Sequence, residues 1–174
     1  MPLYKVWAQL EEVHRKGLAA DIGVSNWTGA LLIDMFSFAE ILPAVNQIEL
    51  HPYLQQPDLV RYCQDNEVAV VAFSPLCSPG RPFPGGRRDL LENEMLQEIA
   101  KKHSRSPAQV ALRWNLQRHV AVIPKTLSLE RAKENLAVFD FTLDENDMKQ
   151  MEELECDARC FDPKNFGANF PVFK

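Results

Sequence analysis

The sequence predicts an α/β fold of about four βα units laid around a parallel sheet. Three observations carry that expectation. Short β-branched runs alternate with amphipathic stretches, the order that a parallel sheet with crossover helices requires. The runs are apolar almost throughout, as strands covered on both faces must be. The amphipathic stretches open on capping residues or proline, and the first closes on glycine. At 174 residues, 46% hydrophobic and 25% charged, the chain has the size and composition of one domain spanning 1–174, and no linker divides it.

The first amphipathic stretch, from about Tyr4 to Lys16, repeats apolar residues at Val6, Leu10 and Val13, and Gly17 supplies a stop. Ile22-Gly23-Val24 reads as the first strand and about Gly29–Glu40 as the second helix. Ala44-Val45, with Ile48 close behind, forms the second strand, and about Asp58–Asn66 the third helix, with Pro57 at its start. Val68–Phe73 is the third strand. Leu96, Ile99 and Ala100 mark a fourth helix. Ser106-Pro107-Ala108-Gln109 then combines an N-cap, a first-turn proline and a capping-box glutamine ahead of Val110, Ala111 and Trp114. Val120–Ile123 is the fourth strand, followed by helices starting near Ser128 and Asp144, the last with Met148, Met151 and Leu154 on one side. Two segments lack a period: the Pro- and Gly-rich loop 74–89, SPLCSPGRPFPGGRRD, and the aromatic tail 156–174. A loop of that length inside a compact domain points to function or disorder.

Composition narrows the partners. Nineteen basic against 24 acidic residues give a net charge of −5, with no basic tract able to neutralise a row of phosphates, so nucleic acid is not an expected partner. No apolar run approaches the length of a membrane span, and no basic and apolar leader opens the sequence, so no membrane partner and a cytoplasmic address are expected. Cys63, Cys77, Cys156 and Cys160 form no C-x-x-C pair and are expected to be reduced thiols, with no metal site. Glu49 and His51 share strand spacing, but two ligands without a third read as a satisfied polar pair. Cys156 and Cys160, four apart, are expected to be near each other only by accident. His14, His103 and His119 read as helix-surface residues.

The strand ends carry the chemistry. In open α/β sheets and parallel barrels, working residues lie where strands hand over to loops at their carboxyl ends. Here every such position is polar: Ser25-Asn26, Gln47 and Glu49, Ser74, and Lys125-Thr126. After the fourth strand, Lys125 leaves the sheet, Ser128 is placed to cap the next helix, and Arg131 lies in its first turn. Two cations and unpaired N–H groups thus converge at a helix start, an arrangement suited to an anion. No G-x-G-x-x-G or G-x-x-x-x-G-K-[ST] occurs, so a nucleotide would have to be held by another route.

The segments GLAADIGVSN, PAVNQIELHPYLQQPDLVRYC, VAVVAFSPL, PAQVALRWNLQR, VAVIPKTLSLERAKEN and FDFTLDENDM, in this order and spacing, resemble the aldo-keto reductase family. The resemblance implies a parallel (β/α)8 TIM barrel, of which four βα units would be the C-terminal half-barrel, and an NADP(H) cofactor lying extended across its mouth. Ser25, Asn26 and Gln47 would hydrogen-bond the nicotinamide carboxamide, with Phe73 stacked on the ring's opposite face. Ser74, Leu76 and Ser78 would line the pyrophosphate. Lys125, Thr126, Ser128 and Arg131 would bind the phosphate on the adenosine ribose, and Glu134 and Asn135 would meet the adenine. Residue types agree with those roles, since a doubly charged phosphate suits Lys and Arg and a flat carboxamide suits fixed donors and acceptors. The loop 74–89 would clasp the cofactor, and 156–174, a loose match to the aldose and xylose reductase type, would shape a substrate pocket for aldoses or polyols.

Three departures stand out. Phe73 replaces the family's usual Tyr, Cys77 stands where Gly is common, and Gly80 where an acidic residue often latches the loop, so a weaker clasp is expected. The family's proton-donating Tyr, with its Lys, Asp and His, normally precedes the matched segments. Tyr4, Tyr53, Tyr62 and His51 lack the right neighbours to replace them, so no catalytic residue is assigned. The expected function is NADPH-dependent reduction of aldehydes or ketones, small-molecule carbonyls, to alcohols by hydride transfer in a complete protein. The chain itself, read as a truncated product, an alternative start or a gene-model fragment, is expected to be inactive and to self-associate through exposed half-barrel edges. A non-catalytic NADP-binding or partner-docking role is the alternative.

Overall fold

The computed structural model describes residues 1–78 and 89–161. Gly80, in the clasp loop, and the aromatic tail beyond Phe161 lie outside the described residues. The chain groups into two compact units, one formed by Met1–Ile48 with Pro57–Val71, the other by Glu49–Gln56 with Ala72–Lys174. Four strands form a parallel sheet in the order β1 (Gly23–Ser25), β2 (Val45–Glu49), β3 (Ala69–Phe73) and β4 (Val120–Val122). Each strand lies beside its sequence neighbour, as successive βα crossovers dictate.

In the first unit, α1 (Leu3–Arg15) and α2 (Gly29–Phe36) flank β1, and α3 (Pro57–Asp65) follows β2. Helix α1 stops where Gly17 takes φ +69. Its buried face is not the Val6/Leu10 stripe expected from periodicity: both are exposed, and Trp7 and Glu11 are buried instead. The reason is polar. Trp7 Nε1 donates to Ile41 O at 2.9 Å, and Glu11 Oε1 accepts from Glu40 N and Ile41 N at 2.9 and 3.0 Å, tying α1 to the segment after α2. Helix α2 ends earlier than the expected Glu40, because Ser37 Oγ donates back to Asp34 O at 2.6 Å and competes with continuation of the helix. Strand β1 pairs with β2 in parallel, Gly23 opposite Val45 and Ser25 opposite Gln47. A Cβ at Gly23 would lie 2.7 Å from Val45 O, so glycine is what lets β1 approach.

The second unit carries the ends of β2 and β3, then a 3₁₀ turn (Leu90–Glu92), α4 (Glu94–Lys102), α5 (Pro107–Gln117), β4, α6 (Leu129–Leu136) and α7 (Glu145–Glu152). Leu50 N donates to Phe73 O and Ile123 N to Ala72 O, joining β3 to its neighbours on both sides. Both arms of the capping box expected at Ser106 are present, and Asp144 and Asp147 form a second one at α7. Val110, Ala111, Leu112 and Trp114 bury one side of α5, with Leu96, Ile99 and Met151 also in this core. His103 is not a plain surface residue: it is half-buried, and its Nε2 lies 2.7 Å from the buried Asp147 carboxylate. Among the described residues no helix is long and apolar enough to cross a membrane.

Candidate functional site

In the first unit, the ends of β1 and β2 bring Ser25, Asn26 and Gln47 together. The Gln47 carbonyl accepts both Ser25 Oγ and Asn26 N, each at 2.9 Å. Asn26 sits at φ +57, a left-handed conformation that Asn tolerates better than most residues. Behind this turn, buried Asn46 closes a two-way clamp on Trp27, accepting from its N–H at 3.3 Å and donating to its carbonyl at 2.9 Å. The clamp fixes the loop using a residue that strand spacing alone does not single out. The Asn26 and Gln47 side-chain amides have no protein partner among the described residues, so both can present donors and acceptors to a ligand.

In the second unit, β3 ends at Phe73, whose ring meets Phe161 edge-on at a centroid distance of 5.6 Å. The next turn is tight: Cys77 N donates to Ser74 O at 2.8 Å, and the Ser74 and Ser78 hydroxyls lie 3.2 Å apart. Ser74, Cys77 and Ser78 all adopt positive φ, of 48, 60 and 49°. Such backbone outliers cost energy and concentrate at ligand sites. Leu76 is half-buried between them.

The segment after β4 also belongs to the second unit. Thr126 Oγ1 accepts from Ser128 N at 3.1 Å, and Ser128 Oγ accepts from Arg131 N at 3.3 Å, so hydroxyls occupy N–H groups that the sequence reading left open for an anion. The cationic part of that reading keeps its basis. Lys125 and Arg131 are exposed, and neither has a carboxylate partner among the described residues. Glu134 is exposed and Asn135 half-buried on the same helix. Glu134 O accepts from Gln109 Nε2 at 3.0 Å, which pins α6 to α5.

One constellation was not legible as such. His51 Nε2 lies 3.2 Å from Glu49 Oε1 and 3.3 Å from Cys77 Sγ, and Cys77 Sγ is 3.5 Å from Cys160 Sγ. The Glu49–His51 pair is the expected one, fully buried. Two thiols join it, and Cys160 is beside Cys77 rather than Cys156, whose Sγ donates to Tyr53 O. Burial pushes the Cys77 thiol up, whereas a hydrogen bond from Cys77 brings Cys160 down to about 6. For His51, burial favours the neutral ring, but hydrogen bonds with Cys160 and Glu49 outweigh it and raise the pKa. Burial likewise opposes ionisation of Glu49, and His51 with the N–H groups of Cys160 and Phe161 reverses that, leaving the carboxyl below its usual range. The sequence signal was Cys77 itself, a side chain where glycine is usual.

The tyrosines are occupied structurally. Tyr53 is buried with its hydroxyl accepting from Asn93, Tyr62 stacks on Phe36, and Tyr4 meets Phe38 edge-on.

Comparison with known proteins identifies the family. The Aldo/keto reductase family profile matches residues 1–155. The chain is similar to an NAD(P)H-dependent D-xylose reductase of Candida tropicalis, 42% identical over 99% of this chain and 55% of that protein. It is also similar to the aldo-keto reductase family 1 member A1 of Bos taurus, 41% identical over 91% of this chain and 49% of that one. A solved aldo-keto reductase in complex with NADPH superimposes with a TM-score of 0.88 at 37% identity, covering 95% of this chain and 52% of its own. The chain thus spans about half the length of these relatives, which fits a half-barrel. With the strand order, the polar strand ends and the profile in agreement over nearly the whole chain, it belongs to the Aldo/keto reductase family.

Proposed function

We propose that this chain supplies the NADP(H)-binding half of a reductase that converts aldehydes or ketones to alcohols. The observation that carries the reading is the pair of exposed cations, Lys125 and Arg131, without a carboxylate partner among the described residues, around the Ser128 cap of α6, in a chain of this family. Exposed cations without carboxylate partners suit the extra phosphate that distinguishes NADP(H) from NAD(H). Ser25, Asn26 and Gln47 take the carboxamide and fix which face of the nicotinamide is presented. Phe73 offers a ring to the opposite face, and Ser74, Leu76 and Ser78 line the pyrophosphate. Glu134 and Asn135 contact the adenine. NADPH supplies hydride when bound; these residues bind and orient it. The similarity to a D-xylose reductase points to an aldose as substrate. No described residue takes the role of proton donor, so the chain alone binds cofactor without turnover.

Calorimetric titration of the full chain with NADPH, followed by addition of 4-nitrobenzaldehyde, tests the reading. Saturable binding with no loss of NADPH is expected. Absence of binding overturns the cofactor assignment, and NADPH consumption overturns the assigned lack of a proton donor. Binding of NADPH in a protein with no reductase partner half would favour the second reading, a cofactor-binding module without catalysis.

A further inference from the structure

We propose that His51 Nε2, Cys77 Sγ and Cys160 Sγ form a binding site for a soft divalent cation of the zinc class. This site is independent of the cofactor reading and uses none of its residues. The three donor atoms lie within 4.8 Å of one another. The Cys77–Cys160 and Cys77–His51 separations are 3.5 and 3.3 Å. In a tetrahedral site with Zn–S near 2.3 Å and Zn–N near 2.0–2.1 Å, adjacent ligand atoms lie about 3.5–3.8 Å apart. Outward shifts of a few tenths of an ångström therefore admit the ion.

The donor set has the right chemistry. Two thiolates and an imidazole select zinc over the hard cations calcium and magnesium, which take oxygen ligands. His51 and Cys77 are buried, so a bound ion would be shielded from competing water. Nε2, 3.3 Å from Cys77 Sγ, is the ring nitrogen that faces the thiol, so a bound ion takes its lone pair and the proton of the neutral ring resides on Nδ1. On binding, two metal–sulfur bonds and one metal–nitrogen bond form, and the protons that the two sulfurs and His51 Nε2 still carry pass to solvent with no change of oxidation state. Three protein ligands leave a fourth position for water or an anion.

Two further features indicate a built site. Glu49 Oε1, fully buried, accepts from Cys160 N at 2.6 Å, so a carboxylate behind the site holds the backbone of one ligand in place. Cys77 holds its thiol on a backbone at φ +60, where glycine would be unstrained. A strained residue of that kind is a pointer to a role for its side chain.

The test uses the full chain, kept reduced with a phosphine, loaded with zinc and dialysed; cobalt(II) serves as an optical probe. One retained equivalent of zinc is expected, with cobalt showing intense thiolate charge-transfer and tetrahedral bands. Cys160→Ser and Cys77→Gly should abolish both, and Cys77→Gly suits the local backbone, so failure to fold does not confound it. Cys156→Ser should leave both unchanged. Glu49→Gln should weaken zinc binding about 10- to 100-fold. Failure of the reduced chain to retain zinc overturns the proposal. So does retention by both Cys160→Ser and Cys77→Gly, or a Cys77–Cys160 disulfide that persists under the reductant in place of metal.

Discussion

His103 Nε2 sits 2.7 Å from Asp147 Oδ2, so the residue that ends α4 seals the first turn of α7. Lys102 completes the junction, its Nζ 2.6 Å from Asp144 Oδ2 and 2.7 Å from Asp147 Oδ1. The Lys102 hydrogen bond holds the Asp144 carboxyl down to about 2. Burial opposes ionisation of Asp147, but Lys102 and His103 outweigh it and lower its pKa too. Carboxyls depressed on folding contribute stability that is complete above their unfolded values, near 4, and is lost as pH falls through the folded ones. The melting temperature should fall between about pH 4 and pH 2, and Asp147→Asn should flatten that slope. Parallel profiles for the two proteins would contradict the assignment.

Glu11→Ala should destabilise the chain by about 2–4 kcal/mol, because it leaves the N–H groups of Glu40 and Ile41 without their acceptor. Glu11→Gln keeps a neutral acceptor and should recover about half of that loss. Urea denaturation of the three proteins checks the order.

Gly23→Ala should cost about 1–3 kcal/mol, since the added Cβ meets the backbone carbonyl of Val45 and only movement of β1 relieves the clash. A thermal melt within error of the parent would show that β1 shifts freely.

If Arg131 recognises the ribose phosphate, Arg131→Ala should weaken NADPH about 10- to 100-fold, the worth of a hydrogen bond to a charged group. NADH affinity should hardly change. Equal losses for the two coenzymes in parallel titrations would place Arg131 elsewhere.

Leu127, Leu129, Leu136 and Phe139 are all exposed on or beside α6. We expect the isolated chain to self-associate through such apolar surface and through the outer strands β1 and β4. Sedimentation velocity reads this directly, and a sharply melting monomer is the contrary result.

The strands, the order of the helices and the polar strand ends were legible because each rests on a local rule: apolar runs, capping residues and hand-over positions. The Ser106 box is the plainest case, with both its hydrogen bonds formed as the four-residue pattern requires. What periodicity missed was polar burial. Trp7 and Glu11 displaced Val6 and Leu10 from the core side of α1 because their partners, Glu40 and Ile41, lie about thirty residues away. The thiol cluster escaped for the same reason, its cysteines standing 83 positions apart. At the anion site the cations and the Ser128 cap were legible, but Thr126 Oγ1 as the acceptor of Ser128 N was not, because that hydrogen bond depends on loop geometry.

Trp114 is wholly enclosed beneath the Arg118 guanidinium, 4.3 Å above its ring, while Trp7 is enclosed in the other unit with its indole N–H on a carbonyl. A cation over one indole and a neutral dipole at the other give the two chromophores different electronic surroundings. Each unit thereby carries its own intrinsic emission signal, and replacing Trp27 with phenylalanine would leave one fluorophore per unit. Loss of order in either could then be timed separately, without attaching a dye.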